Sequence, residues 1–121
     1  MKLYLYAEYP LSLWASKKIG RPVRWTGDRS QSFVSDAQGR DHVTAAELAF
    51  DSEGKILGYR ISTIANLGSY LSNFATVVPT EACKGVQGGV YAIPAAYLEV
   101  KGVFTHTIPV DAYRGAGRPE A

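Results

Sequence analysis

Two arginines that flank a stretch of small residues are the part of the chain best suited to chemistry. Arg114 and Arg118 bracket Gly115, Ala116 and Gly117. Small residues let backbone N–H groups approach a ligand closely, and a run of such amides forms a concave site for anions. A neighbouring guanidinium adds a permanent positive charge with several donors in one plane. The pattern predicts either a turn that holds an anionic cofactor or oxyanion, or an ordinary solvated loop.

The remaining reactive side chains do not form the clusters that metal binding or nucleophilic catalysis requires. His42 and His106 are far apart in the sequence and have no carboxylate or thiol at metal-ligand spacing, so no metal site is expected. Cys83 is the single cysteine, which excludes an internal disulfide and a cysteine cage for zinc. We interpret it as a buried small apolar residue and not as a nucleophile.

The length, charge and hydropathy of the chain exclude a membrane span and do not favour nucleic-acid binding. A chain of 121 residues is long enough for one domain. Its 13 basic and 11 acidic side chains give a net charge of +2, which does not favour broad attraction to nucleic acids or membranes. No apolar run reaches the roughly 20 residues that a membrane span needs. The unpaired cysteine fits a reducing compartment, and we expect a cytoplasmic protein.

The first third of the chain predicts a helix over residues 8–19, with apolar side chains at helical spacing on one face. Gly20 is a suitable residue to end this helix. A short strand over 22–26 is predicted next. A polar loop over 27–40 follows and contains a second short strand at 32–35.

The middle of the chain predicts a β-hairpin. Residues 41–50 and 55–65 both alternate between apolar and polar side chains, and Asp51 and Gly54 suit the turn between them. Beyond it, a short helix over 74–85 is interrupted by a proline, a Gly-Gly turn follows, and a third strand spans 97–105. The pattern predicts an α+β fold with an antiparallel sheet of about three to four strands and flanking helices.

Four stretches of the chain are similar to motifs of a known family. They are AYRGAGRPEA at 112–121, KKIGRPVRW at 17–25 with Asp28-Arg29 after it, GRDH at 39–42 and ANLGSY at 65–70. In order and spacing they resemble the molybdenum-binding large subunit of the xanthine dehydrogenase and aerobic carbon monoxide dehydrogenase family. The resemblance covers essentially the whole chain, and the C-terminal motif is its most specific part.

The resemblance implies a fold, a cofactor and a set of site residues. Residues 1–121 would form a single partial domain, a segment of the molybdopterin-binding domain of a subunit several hundred residues long. Arg114 would be catalytic and face the metal centre, and Gly115, Ala116 and Gly117 would contact molybdopterin cytosine dinucleotide. The parent enzyme would transfer hydroxide to a substrate carbon and pass electrons to iron–sulfur and FAD subunits. We expect the isolated chain to bind no cofactor and to be inactive.

Two positions depart from family patterns that indicate a substrate. Members that oxidise carbon monoxide carry a copper-binding cysteine directly after the motif arginine, and this chain has Gly115 there. Purine-oxidising relatives carry a glutamate at the position that the resemblance assigns to Leu3. Neither carbon monoxide oxidation through copper nor purine recognition is therefore expected.

The alternative interpretation is a non-catalytic interaction or structural module derived from a truncated gene. Removal from a larger subunit exposes former interfaces, and exposed apolar patches favour association. The tyrosine-rich N-terminus and residues 74–78 are the candidate patches for self-association. An internal glutamate pair suited to acid–base catalysis is not evident in this sequence.

Overall fold

The computed structural model describes residues 5–112, 114–116 and 118, which form two compact units over 1–36 and 37–121. Leu3 lies outside the described residues, as do Tyr113 and Gly117 of the C-terminal motif. Within the part of the chain that is described, no helix combines the length and apolar character needed to cross a bilayer. The prediction of a single partial domain stays a prediction.

The first unit contains helices α1 (Glu8–Ile19) and α2 (Arg29–Ser35). Helix α1 has the predicted bounds, and it ends at Gly20 in the left-handed conformation, with φ of 65°. Basic side chains in its last turn favour the negative end of the helix dipole. One of them, Lys18, lies over the Trp14 ring with its Nζ 4.8 Å from the ring centroid.

The two strands predicted in this unit are wrong. Residues 22–26 belong to no strand of the described structure, and 32–35 belong to α2. The reason for α2 is local, because Asp28 is its N-cap. The Oδ1 atom of Asp28 accepts a hydrogen bond of 2.7 Å from the backbone N–H of Gln31, which satisfies one of the first free donors of the helix.

The second unit is built on a three-stranded sheet of β1 (His42–Phe50), β2 (Ile56–Gly68) and β3 (Ala96–Phe104), in that spatial order. The predicted hairpin is confirmed, since β1 and β2 pair antiparallel with Thr44 opposite Thr63. Asp51 closes the turn through its Oδ1 atom, which accepts hydrogen bonds of 2.9 Å from the backbone N–H groups of residues 53 and 55. Gly54 takes the positive φ, 82°, that the turn requires.

The third strand is confirmed, but the prediction of an antiparallel sheet is wrong for it. Strand β3 pairs with β2 in parallel, with Leu98 opposite Ile61, so the sheet is mixed. The connection over 69–95 contains the short helix α3 (Val77–Thr80) and a 3-10 turn (Lys84–Val86), in place of the single interrupted helix expected over 74–85. This crossover returns the chain to the starting end of β2, and a parallel neighbour requires such a path. Among the described residues there is no fourth strand in this sheet.

The core of the second unit lies where β2 meets the crossover. Its buried apolar residues are Ile61, Ala65, Leu67, Ala75 and Cys83. All residues of β1 are exposed, so the hairpin contributes one open edge to the sheet.

Gly68 ends β2 and determines how closely the following chain can pack. Its φ is 79°, and an added Cβ would lie 2.5 Å from the carbonyl oxygen of Ile108 and 2.5 Å from the Cα of Pro109. Only glycine fits this close approach between two backbones. The position therefore holds the segment that leads into the C-terminal arginine turn.

Candidate functional site

The arginine turn is present and accessible. Arg114, Gly115 and Arg118 are exposed, and Ala116 is half-exposed. The backbone N–H of Arg118 donates to the carbonyl oxygen of Gly115 at 3.1 Å, and its Nη1 donates to the same oxygen at 3.2 Å. The structure thus brings three of the predicted site residues into one closed turn, and Gly117 lies outside the described residues.

The backbone of this turn is unusual. Gly115 has φ of 85° and Ala116 has φ of 51°, so two consecutive residues adopt the left-handed region. For an alanine this conformation costs about 1–2 kcal/mol. Residues held in such conformations cluster at binding and catalytic sites. Side chains limited to a hydrogen and a methyl group also leave the backbone of the turn open to an approaching ligand.

The segment before the turn is held by backbone hydrogen bonds to residue 38. The N–H of Gln38 donates to the carbonyl oxygen of Pro109 at 3.1 Å, and the N–H of Asp111 donates to the carbonyl oxygen of Gln38 at 2.8 Å. Gln38 and Val110 form an isolated parallel bridge. The chain just before β1 therefore fixes one side of the segment that carries the turn.

The carboxylate of Asp111 fixes the other side. Its side chain is buried, and its Oδ2 accepts from the backbone N–H of Phe74 at 3.1 Å, while its Oδ1 accepts from the N–H of Ala112 at 2.7 Å. A buried carboxylate is tolerated when its oxygens are hydrogen-bonded in this way. One side chain thereby joins the crossover segment to the base of the arginine turn.

A network of polar side chains around Asn66 holds the segment after β3, which leads toward the arginine turn. The Nδ2 group of Asn66 donates to Asp41 Oδ2 at 2.6 Å and to Thr107 Oγ1 at 2.8 Å. Its Oδ1 accepts from Thr105 Oγ1 at 2.9 Å and from the backbone N–H of Gly68 at 2.8 Å. All the hydrogen-bonding capacity of this buried amide is used, so the network links the ends of two strands to the segment after β3.

A cavity of about 90 Å³ lies between the sheet and the α3 segment of the second unit. Its lining includes Asp41, His42, Asn66, Cys83 and Asp111. This volume holds roughly three water molecules, whereas sites for drug-sized ligands or cofactors are typically 300 Å³ or more. The cavity is therefore too small to enclose an organic cofactor.

The other residues considered from the sequence do not form a reactive centre. Cys83 is 6% exposed, and its Sγ donates to the carbonyl oxygen of Pro79 at 3.4 Å, so the prediction of a buried cysteine is confirmed. His42 lies at the start of β1, and the exposed His106 follows β3. Over the described residues, no group of three or more histidine, cysteine, aspartate or glutamate side chains could hold a metal ion.

Two important residues were not identified from the sequence. Asn66 belongs to one of the family-like motifs, and Asp111 belongs to none of them. One signal was available for Asn66, since it is an isolated polar residue between apolar neighbours in a buried strand. For Asp111 the partner that matters, the N–H of Phe74, is 37 positions away, and no local pattern indicates it.

An exposed turn with two guanidinium groups and small side chains favours the binding of an anionic group. Residues 1–121 match the model of a family described as "Molybdopterin cofactor-binding domain". The chain belongs to this family, and the predicted relationship to the xanthine dehydrogenase and carbon monoxide dehydrogenase family is confirmed.

Similar proteins support this membership. The chain is 35% identical over 117 residues to the 6-hydroxypseudooxynicotine dehydrogenase complex subunit gamma of Paenarthrobacter nicotinovorans, covering 97% of the chain and 15% of that protein. It is 37% identical over 111 residues to the carbon monoxide dehydrogenase large chain of Hydrogenophaga pseudoflava, covering 89% of the chain and 13% of that protein.

The fold also has a close match among solved structures. Quinoline 2-oxidoreductase from Pseudomonas putida 86 matches with a TM-score of 0.85 and 33% identity, over 94% of this chain and 15% of that one. The predicted α+β segment of a molybdenum-cofactor-binding domain is confirmed by this match. The chain thus spans about 15% of the length of the proteins that it resembles.

Proposed function

We propose that residues 112–118 form part of the cofactor pocket of a molybdenum hydroxylase large subunit. In this proposal Arg114 faces the metal centre, and Gly115, Ala116 and Gly117 lie against molybdopterin cytosine dinucleotide. The observation that carries the proposal is the exposed turn with two consecutive left-handed residues between two guanidinium groups. The family membership of the whole chain supports it independently.

The described residues of the turn fit such a cofactor chemically. The dinucleotide carries negatively charged phosphates, and the turn offers permanent positive charge and backbone unobstructed by side chains. When bound, the cofactor supplies Lewis acidity and redox chemistry that protein side chains lack. Gly115 provides no thiolate, so this residue cannot bind a copper ion, and copper-assisted carbon monoxide oxidation is disfavoured.

The role of Arg114 follows from its charge. A guanidinium stays protonated at any working pH and presents its donors in a rigid fork. Directed at an oxygen that gains negative charge in the transition state, such a donor orients the substrate and stabilises the charge. The reaction in which it would act is hydroxide transfer to a substrate carbon, with the electrons leaving through iron–sulfur and FAD partners.

A graft tests the proposal. Residues 1–121 replace the matching segment of quinoline 2-oxidoreductase, and molybdenum content and kcat are measured for the graft and its Arg114→Ala variant. Loss of one preorganised donor is expected to lower kcat about 100-fold at unchanged molybdenum content.

The matched control is Arg60→Ala. Arg60 is an exposed arginine of β2 that pairs with Glu47 on the sheet surface, and its removal should leave kcat unchanged. Full activity of the Arg114→Ala graft, or an equal loss in both variants, would contradict the proposal.

The second candidate function is a self-associating, non-catalytic module. Large apolar side chains are exposed in both patches considered from the sequence, with Tyr9 40% exposed, Phe74 51% and Val77 46%. Such surfaces favour association. Light scattering of the isolated chain at rising concentration tests this function, and a clean monomer at high concentration would exclude it.

A further inference from the structure

The buried carboxylate of Asp111 lies just before the arginine turn in the sequence and is hydrogen-bonded to the crossover. It is 3% exposed and lies three residues before Arg114. Its two oxygens accept from two different segments, one from the N–H of Phe74 and the other from the N–H of Ala112. Hydrogen bonds to an ionised carboxylate are stronger than those to a neutral oxygen. The side chain is therefore a strong link between the crossover and the base of the turn.

Other contacts hold the backbone of the segment that ends at Asp111. Gln38 is hydrogen-bonded to the backbone on both sides of Val110, and Gly68 packs directly on Ile108 and Pro109. At Ala112 the hydrogen bond that the structure records for the backbone N–H is the one to Asp111. The carboxylate thus extends the anchored segment by one residue, to the peptide of Ala112.

We propose that Asp111 is a positioning residue for the arginine turn. Its carboxylate fixes the peptide at Ala112 and thereby the point from which Arg114 and its small-residue turn extend. A small rotation of the backbone at Ala112 is enough to displace Arg114. Two peptide units separate the Cα atoms of residues 112 and 114, a span of at most about 7 Å. A rotation of roughly 10° at Ala112 therefore moves Arg114 by up to about 1 Å, and a displacement of that size costs up to about 100-fold in rate at a reacting centre.

The inference rests on the proposed function only for its consequence in catalysis, since the positioning itself is measurable in the isolated chain. The experiment records backbone amide NMR signals of the 121-residue chain and of the variants Asp111→Asn and Asp111→Ala. Inorganic pyrophosphate is the probe for anion binding, and its Kd is obtained by titration for each protein at a temperature where all are folded.

A matched control exists within the same unit. Asp51 also accepts two backbone N–H groups through its carboxylate, but in the hairpin turn. Asp51→Ala should move the signals of residues 53–55 and leave those of 114–116 in place. Asp111→Ala should move the signals of 114–116. It should also raise the Kd for pyrophosphate about tenfold, the change expected when the displaced turn loses one hydrogen bond to the anion.

Asp111→Asn keeps the shape and one acceptor oxygen, so a smaller displacement and a partial loss of affinity are expected. The proposal is overturned if both Asp111 variants leave the signals of 114–116 and the Kd unchanged while the signals of Phe74 and Ala112 move. Loss of the folded state in both variants would assign Asp111 to the stability of the whole unit and would equally overturn a specific positioning role.

The same data separate this inference from the proposed function. Failure of the unmodified chain to bind pyrophosphate, with turn signals that still respond to Asp111→Ala, contradicts the cofactor turn and supports the positioning. Binding of pyrophosphate that is insensitive to both Asp111 variants supports the cofactor turn and contradicts the positioning.

Discussion

Replacement of Gly68 by alanine tests the packing that holds the arginine turn. The added Cβ would meet the Ile108 carbonyl oxygen and the Pro109 Cα at 2.5 Å, and both contacts are backbone atoms that cannot rotate away. The φ of 79° adds a separate penalty of about 1–2 kcal/mol for an L-residue in the left-handed region. Relief of the overlap by backbone shifts costs a further 1–3 kcal/mol, approximately. The expected loss of unfolding free energy is therefore about 2–5 kcal/mol.

Substitutions at two other glycines separate the conformational penalty from the cost of the steric overlap. Gly54 has φ of 82° with open space around it, so Gly54→Ala should show the conformational penalty alone. Gly85 has open space and no positive φ, so Gly85→Ala should be neutral or stabilise the fold by about 0.4–1 kcal/mol through the unfolded state. Urea unfolding monitored by far-ultraviolet circular dichroism, which reports on the strands of the second unit, measures all three variants. A Gly68→Ala loss no larger than that of Gly54→Ala would refute the close packing of Ile108 and Pro109 on β2.

Three further outcomes are expected. Asn66→Ala removes the side-chain oxygen that accepts from the buried backbone N–H of Gly68, and because this leaves a buried donor without that acceptor, urea unfolding should show a loss of about 1–3 kcal/mol; a loss below about 0.5 kcal/mol would contradict the network. Arg60→Ala breaks an exposed ion pair with Glu47 and should cost less than about 1 kcal/mol, decreasing in 1 M salt; a larger or salt-independent cost would be evidence against a surface pair. Elemental analysis of the purified 121-residue chain should find no stoichiometric molybdenum, and a ratio near one metal per chain would overturn the expectation that the isolated segment binds no cofactor.

The sequence predicts those elements whose signals are local. Helix α1 follows from its apolar spacing and the glycine after it, and the hairpin follows from two alternating runs around Asp51 and Gly54. Helix α2 is not predicted, because the polar residues over 27–40 indicate a loop and only the capping residue Asp28 indicates a helix start. That aspartate directly precedes a helical turn, and its side chain supplies the bond that a helix start requires.

The direction of β3 could not be predicted from its own residues. Alternation of apolar and polar side chains has the same period in parallel and antiparallel strands, so it carries no information about direction. The deciding element is the crossover over 69–95, whose length and short helices allow the chain to return to the starting end of β2. A hairpin-length connection would have forced the antiparallel arrangement.

The sequence predicts the turn of the candidate site but not the residues that support it. Arg114 and Gly115 are predicted because their residue types match both an anion site and a family motif, and their roles stay predictions. Asp111 and Asn66 were not, because their roles depend on partners such as Phe74 and Thr107 that only the tertiary fold brings near. Contacts between distant segments leave no periodic trace in a sequence.

The position of the Arg114 guanidinium in a cofactor-loaded crystal structure of the quinoline 2-oxidoreductase graft tests the central claim most directly. A guanidinium directed into the metal pocket, with the backbone of 115–117 within about 3.0 Å of cofactor atoms, is the predicted result. A turn that points to solvent, with no cofactor atom in hydrogen-bond contact with residues 114–118, would contradict it.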